Sequence, residues 1–309
     1  MQGSSAVGAA AAATGGLFVT ALVGAPVSAV LLPFVPLPGL LLGGQHGERA
    51  LAACVVLSTL VAAALLGGGP AATYLLALGA PTLAATAALR RGWSAERTVL
   101  LGAAAWTAAV AILLLATYGA PAHVVAGVRD RLQESFDVAI SSSARWGMTD
   151  DAVAELAAAR DPLLAGMLSI LPAALALAGA LTMLLNVLIV RSLLPWLRTT
   201  DLRTWSAPQP LIWAFIATGF GMFAPLPSVA LIAANGFVLL LGCYFCQGLA
   251  IVSFYLERFR LRRGLRVAMY GLLVTQQILV LLVVVMGVFD LWANFRRLGV
   301  VSADDAAEE

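Results

Sequence analysis

The side chains best placed to do chemistry are a few uncharged amides set in long apolar runs. Asn186, Asn235, Gln247, Gln276 and Gln277 all lie in such runs, and Asp290 stands near the end of the last one. An amide left unpaired in hydrocarbon costs on the order of 4–8 kcal/mol on a cyclohexane scale. Each must therefore meet a partner, water or a ligand. One reading is a neutral, hydrogen-bonding pocket for a small solute. The other is interhelical hydrogen bonding, a common glue in helix bundles. At about 100° per residue, Gln276, Val283, Gly287, Asp290 and Asn294 share one helix face. Asp290 can also pair with Arg296 or Arg297 just beyond.

Other chemistry finds little support. Cys243 and Cys246 form a C-x-x-C, but in an apolar helix they read as small packing residues. His46 and His123 fall in different loops, so no ligand cluster for a metal is expected. No phosphate-binding G-x-x-x-x-G-K-[ST] run occurs, and no catalytic residue or cofactor is expected.

The elements that must position the amides are membrane helices. Of 309 residues, 61% are hydrophobic and 11% are charged. A typical soluble domain is about 25% charged. A chain this apolar cannot cover its surface with polar groups. The net charge of +2 gives no reason to expect a nucleic-acid partner. The N-terminal stretch has no basic region, so no cleaved signal peptide is expected.

A spanning helix needs about 20 apolar residues. The sequence predicts an all-α polytopic membrane protein with about eight spans (range 7–9), near 14–33, 48–67, 70–89, 98–118, 163–190, 209–224, 228–256 and 266–291. The proline-broken stretch Leu32–Pro38 reads as a re-entrant or interfacial piece, or as a plain apolar loop. Four regions follow: a membrane half over 1–118, amphipathic extramembrane helices over 119–161, a second membrane half over 162–291, and a polar tail over 292–309. Within 119–161, Val124, Val128, Leu132, Phe136 and Ile140 recur every fourth residue, the pattern of an amphipathic helix. Ser141–Ser143 is expected to break this helix, Thr149 to cap the next, and Asp161-Pro162 to begin a span.

Every basic residue is arginine. Twelve of the eighteen fall in loops on one predicted side, whereas 119–161 carries seven acids against four arginines. Basic loops stay cytoplasmic. The expected location is the bacterial cytoplasmic (inner) membrane, with 119–161 outside. The turn Glu257–Arg266 carries five arginines and is a candidate for contact with anionic lipid head groups.

The C-terminal third is the most distinctive part: Gln247-Gly248-Leu249-Ala250, Phe254-Tyr255-Leu256, Arg263-Gly264-Leu265, then Asp290-Leu291-Trp292-Ala293-Asn294-Phe295-Arg296-Arg297. With the glycine-rich run Leu40–Gly47 before Glu48-Arg49-Ala50, and the cap Met148-Thr149-Asp150-Asp151, it resembles the YybS-like bacterial membrane proteins (domain of unknown function 2232). That family is similar in hydropathy to the S components of energy-coupling-factor vitamin transporters. The further likeness implies small-solute binding energised by other subunits. It also draws attention to Ala21, Ala25 and Ala29, whose spacing resembles the S-component helix that meets a coupling subunit. The expected function is thus transport-related and non-enzymatic, with membrane lipids and other membrane subunits as partners. The alternatives are an MreD-like envelope scaffold and a lipid-handling protein.

Overall fold

The computed structural model describes residues 2–23, 28–145, 147–197, 203 and 205–296. The chain is helical, with no strand among the described residues. It divides into two compact units, Met1–Thr199 and Thr200–Glu309.

The first unit is an up-and-down bundle whose order follows from its side-chain pairings. Helix α1 (Gln2–Val23) starts well before the position expected for the first span. The backbone resumes as α2 (Ser28–Leu31), tightens to a 3-10 turn at Leu32–Phe34, passes through a right-handed helical Val35, and continues as α3 (Pro36–His46). The proline stretch is thus neither a re-entrant loop nor a surface loop. Residues 28–46 form one interrupted helix of about 28 Å, given a rise of roughly 1.5 Å per residue. It runs antiparallel to α1, with Ala11 beside Leu42 and Phe18 beside Val35. Gly47, at φ +94°, reverses the chain within one residue, a conformation that glycine adopts without a Cβ penalty. Helix α4 (Glu48–Leu66) then returns alongside, placing Leu51 against Gly39 and Gly43.

Helix α5 (Gly68–Thr73), a π-helical turn over Tyr74–Gly79 and α6 (Ala80–Arg90) together make the next crossing. Pro81 explains the π turn. A proline clashes with the carbonyl four residues back, and the wider i→i+5 winding gives its ring room. Helix α7 (Ala95–Tyr118) starts on a Ser94 cap whose hydroxyl accepts from the Arg97 amide at 3.3 Å. It packs antiparallel to the end of α9 (Asp150–Leu193), with Gly102 against Met183 and Trp106 against Gly179.

The acidic segment is a helical hairpin. Helix α8 (Pro121–Arg145) runs through Ser141–Ser143 without a break. Ser141 and Ser143 turn their hydroxyls back onto the carbonyls of Val138 and Ala139, so they do not compete for the next turn. The reversal comes at Gly147 (φ +87°), and Thr149 caps α9 as expected, accepting from the Ala152 amide. Asp161-Pro162 does not begin a helix: α9 passes straight through Pro162 and Pro172. Its 44 residues reach about 66 Å, twice the hydrocarbon thickness. The first half of α9 therefore stands clear of the spanning part and pairs with α8, where Arg160 meets Asp137 at 3.5 Å.

In the second unit, α10 (Leu211–Gly221) has eleven residues. At the rise of a helix that is about 16 Å, too short for the span expected over 209–224. It lies antiparallel to α11 (Pro227–Arg258), with Gly221 against Ala233 and Gly236 against Thr218. The span expected over 266–291 is two helices, α12 (Arg263–Thr275) and α13 (Gln277–Ala293), bent by 96°. Gln276 makes the corner in extended conformation. Six helices among the described residues are long and apolar enough to cross a bilayer, seven if the bent pair is one span. The interrupted helix 28–46 is a further segment of crossing length.

Candidate functional site

Gln247 and Asp290 do come together. Both are buried in the second unit, at the crossing of α11 and α13. Gln247 Nε2 donates to Asp290 Oδ2 at 3.1 Å, and its Oε1 accepts from the Ala207 amide at 3.2 Å. Arg296, also buried, donates from Nη2 to Asp290 Oδ2 at 2.8 Å. Its Nη1 donates to the carbonyls of Arg203 and Trp205 at 2.8 and 2.7 Å. Asp290 Oδ1 accepts from the Phe295 amide. The carboxylate is thus filled by one guanidinium, one amide side chain and one backbone N–H. Those bonds tie the end of α13 to Arg203, Trp205 and Ala207, before α10. Of the shared face, Val283, Gly287 and Asp290 turn inward. Gly248 and Gly287 allow the two helices to touch backbone to backbone, against the carbonyls of Val283 and Tyr244 respectively.

The other candidates lie apart. Asn186, in the first unit, is fully buried. Its Nδ2 donates to the carbonyls of Pro33 and Thr182, each at 2.7 Å. Pro33 sits in the 3-10 turn, where the residue three along is Pro36 and has no N–H to return. Asn186 supplies the missing donor, so this amide is an interhelical bond that mends a broken helix. Asn235 is half-buried and donates to the Leu231 carbonyl. Gln276 and Gln277 are exposed at the bend, away from Asp290's face. Ala21 is buried in the first unit. Ala25 lies outside the described residues, as does Arg297; Ala29 is in α2.

Sequence reasoning misses a different cluster. In the first unit a small cavity of about 10 Å³ lies between the interrupted helix and the π turn. That is near the least space that holds one water. Thr14, Pro36, Cys54, Tyr74 and Thr82 line it. Tyr74 and Cys54 are buried, and the hydroxyls of Ser58 and Thr14 face the Cys54 thiol. Among the described residues, Thr14 Oγ1 is buried with no partner at hydrogen-bonding geometry, and the same holds for Thr86 Oγ1 nearby on α6. Thr82 is satisfied by the Leu78 carbonyl at 2.6 Å. The lining is neutral and carries several hydroxyls. Hydroxyls are weak signals in a sequence because they sit in apolar helices as easily as alanine. The usable signal is the prolines at 33, 36, 38 and 81, which interrupt the two helices facing the cavity.

No group of three His, Cys, Asp or Glu side chains that could hold a metal occurs among the described residues. None of the three cysteines forms a disulfide among the described residues, and Cys243 and Cys246 are half-buried on α11.

An all-helical chain with this many apolar crossings and a buried polar centre is a polytopic integral membrane protein. More narrowly, the chain belongs to the DUF2232 family of predicted membrane proteins, whose model matches residues 13–291. No curated protein and no solved structure matches it.

Proposed function

We propose that the protein binds a small, neutral, polar solute within the bilayer and serves its transport, with other membrane subunits supplying the energy. The cavity between the interrupted helix 28–46 and the π turn carries this reading. Helices broken at membrane depth free backbone and hydroxyl groups to meet a solute, and such breaks mark binding sites in many transporters. Tyr74, Thr82 and Thr14 are the candidate hydrogen-bonding groups, and the lack of charge in the lining favours an uncharged ligand. In the present conformation the space admits one water-sized group, so binding requires the proline-jointed helix to move. The S-component comparison enters here as the mechanism in view: solute capture by this chain and energy from a partner. On this reading the protein is not an enzyme. It resides in the bacterial cytoplasmic membrane with its arginine-rich loops inside.

Mass spectrometry of the protein purified from native membranes tests this. A specific small molecule should copurify. Its affinity should fall about fivefold in Tyr74→Phe and again in Thr82→Val, one neutral hydrogen bond apiece. A ligand bound equally by both folded variants would remove this cavity from the mechanism. Copurifying envelope-assembly proteins with no ligand would favour the scaffold reading instead.

A further inference from the structure

A second feature of the first unit lies at the end of the bundle, away from the cavity. Arg191, in the last turn of α9, is only 5% exposed. Its Nη2 donates to the Trp93 carbonyl at 2.8 Å, while Nε and Nη1 have no hydrogen-bond partner among the described residues. A buried guanidinium normally gains a carboxylate or several acceptors, because desolvating a lone cation costs several kcal/mol. Arg191 has one carbonyl. The adjoining turn adds positive charge: Arg90 and Arg91 precede Trp93, and Arg97 follows it. Arg90 itself makes, among the described residues, only long contacts, at 3.4 and 3.5 Å, to the carbonyls of Gly43 and Gly44. Among the described residues, neither Glu96, within this turn's following helix, nor Glu48, next to the Gly47 turn beside Arg90, forms an ion pair with Arg191 or Arg90. The indoles of Trp93 and Trp196 are exposed, as expected of side chains at head-group level.

We infer that Arg191 and Arg90 form a phosphate-binding site, occupied by the head group of an anionic phospholipid. Guanidinium donors in a fork suit phosphate oxygens, and the flanking tryptophans place the site where lipid phosphates lie. This does not depend on the solute cavity.

The test uses the full chain in nanodiscs of phosphatidylcholine, with and without phosphatidylglycerol, and separately with inorganic phosphate in detergent. Lipid retention is read by native mass spectrometry and stability by thermal unfolding. Phosphatidylglycerol should be retained and should raise the melting temperature, while phosphate alone does neither. Arg191→Gln and Arg90→Gln should each weaken retention about fivefold. Arg129→Gln, on α8, should leave it unchanged. Arg90 is exposed, so its variant decides the matter if Arg191→Gln fails to fold. Equal retention by wild type and Arg90→Gln in folded protein overturns the site. Stabilisation by inorganic phosphate to the same extent overturns the lipid as its occupant.

Discussion

The Asp290–Arg296 pair shows how much rests on single residues in the second unit. Both are buried, and Asp290 is the only carboxylate the guanidinium meets among the described residues. Removing one partner of a buried pair strands the other, at about 3–5 kcal/mol. Asp290→Ala should therefore lower the thermal midpoint sharply, and Asp290→Asn, which keeps the shape and the contact to Gln247, should do so less. The measurement is thermal unfolding in detergent; equal loss for both substitutions would show that the retained shape and neutral hydrogen bonds contribute nothing, and no loss for Asp290→Asn would show that the charge contributes nothing. Replacing Asn186 by Leu removes the donor to the Pro33 carbonyl and should cost about 1–3 kcal/mol, the penalty of an unsatisfied buried group. At this scale the sequence is partly readable. Asp290 and Arg296 flank a helix end six residues apart, so their pairing can be anticipated. The separation of Gln276 from Asp290 cannot, because it depends on a 96° bend within an unbroken apolar run.

Helix crossings depend on glycine and proline in opposite ways. At Gly287 and Gly248 the α11–α13 contact is backbone to backbone, and a Cβ on either would run into a carbonyl of the facing helix. Gly287→Ala should therefore destabilise the protein by several kcal/mol, since the neighbour that must yield is main chain. Gly264 has nothing within 4 Å of where a Cβ would stand. Gly264→Ala should be neutral within about 0.5 kcal/mol. Chemical denaturation of the two variants separates the cases, and similar midpoints would refute the close crossing. The prolines mislead a reading of the sequence for a physical reason. Proline breaks a helix when the groups it frees go unsatisfied. In the segment 28–46 a 3-10 turn and Asn186 take them up. At Pro162 the carbonyl released is that of the exposed Ala158, which water can bond. Proline thus marks an interruption; the surrounding structure decides whether the helix ends there.

For the molecule as a whole, the testable property is which side of the membrane each loop faces. Within the first unit the alternation of antiparallel helices fixes which loops share an end. Arg90 reaches the Gly43 and Gly44 carbonyls and Arg191 the Trp93 carbonyl, so the turns at Gly47, Arg91–Ser94 and the end of α9 stand together. The hairpin of α8 and the first half of α9 lies beyond Tyr118, at the opposite end of α7. The sequence alone groups these loops in the same way, although it places the first helix wrongly. That error does not affect the grouping, because the loops from Gly47 onward are set by α4, α5–α6, α7 and α9 whatever precedes them. The arginine-rich end should face the cytoplasm and the acidic hairpin the exterior. Cys54, Cys243 and Cys246 can be replaced by alanine, and single cysteines introduced at Arg91 and Glu134, both exposed. A membrane-impermeant maleimide should label the Glu134→Cys protein in intact cells and the Arg91→Cys protein only after permeabilisation. The reverse pattern would invert the orientation and put the phosphate site on the outer leaflet. Labelling of both in intact cells would contradict the antiparallel order itself, because α7 alone separates the two positions by one full crossing.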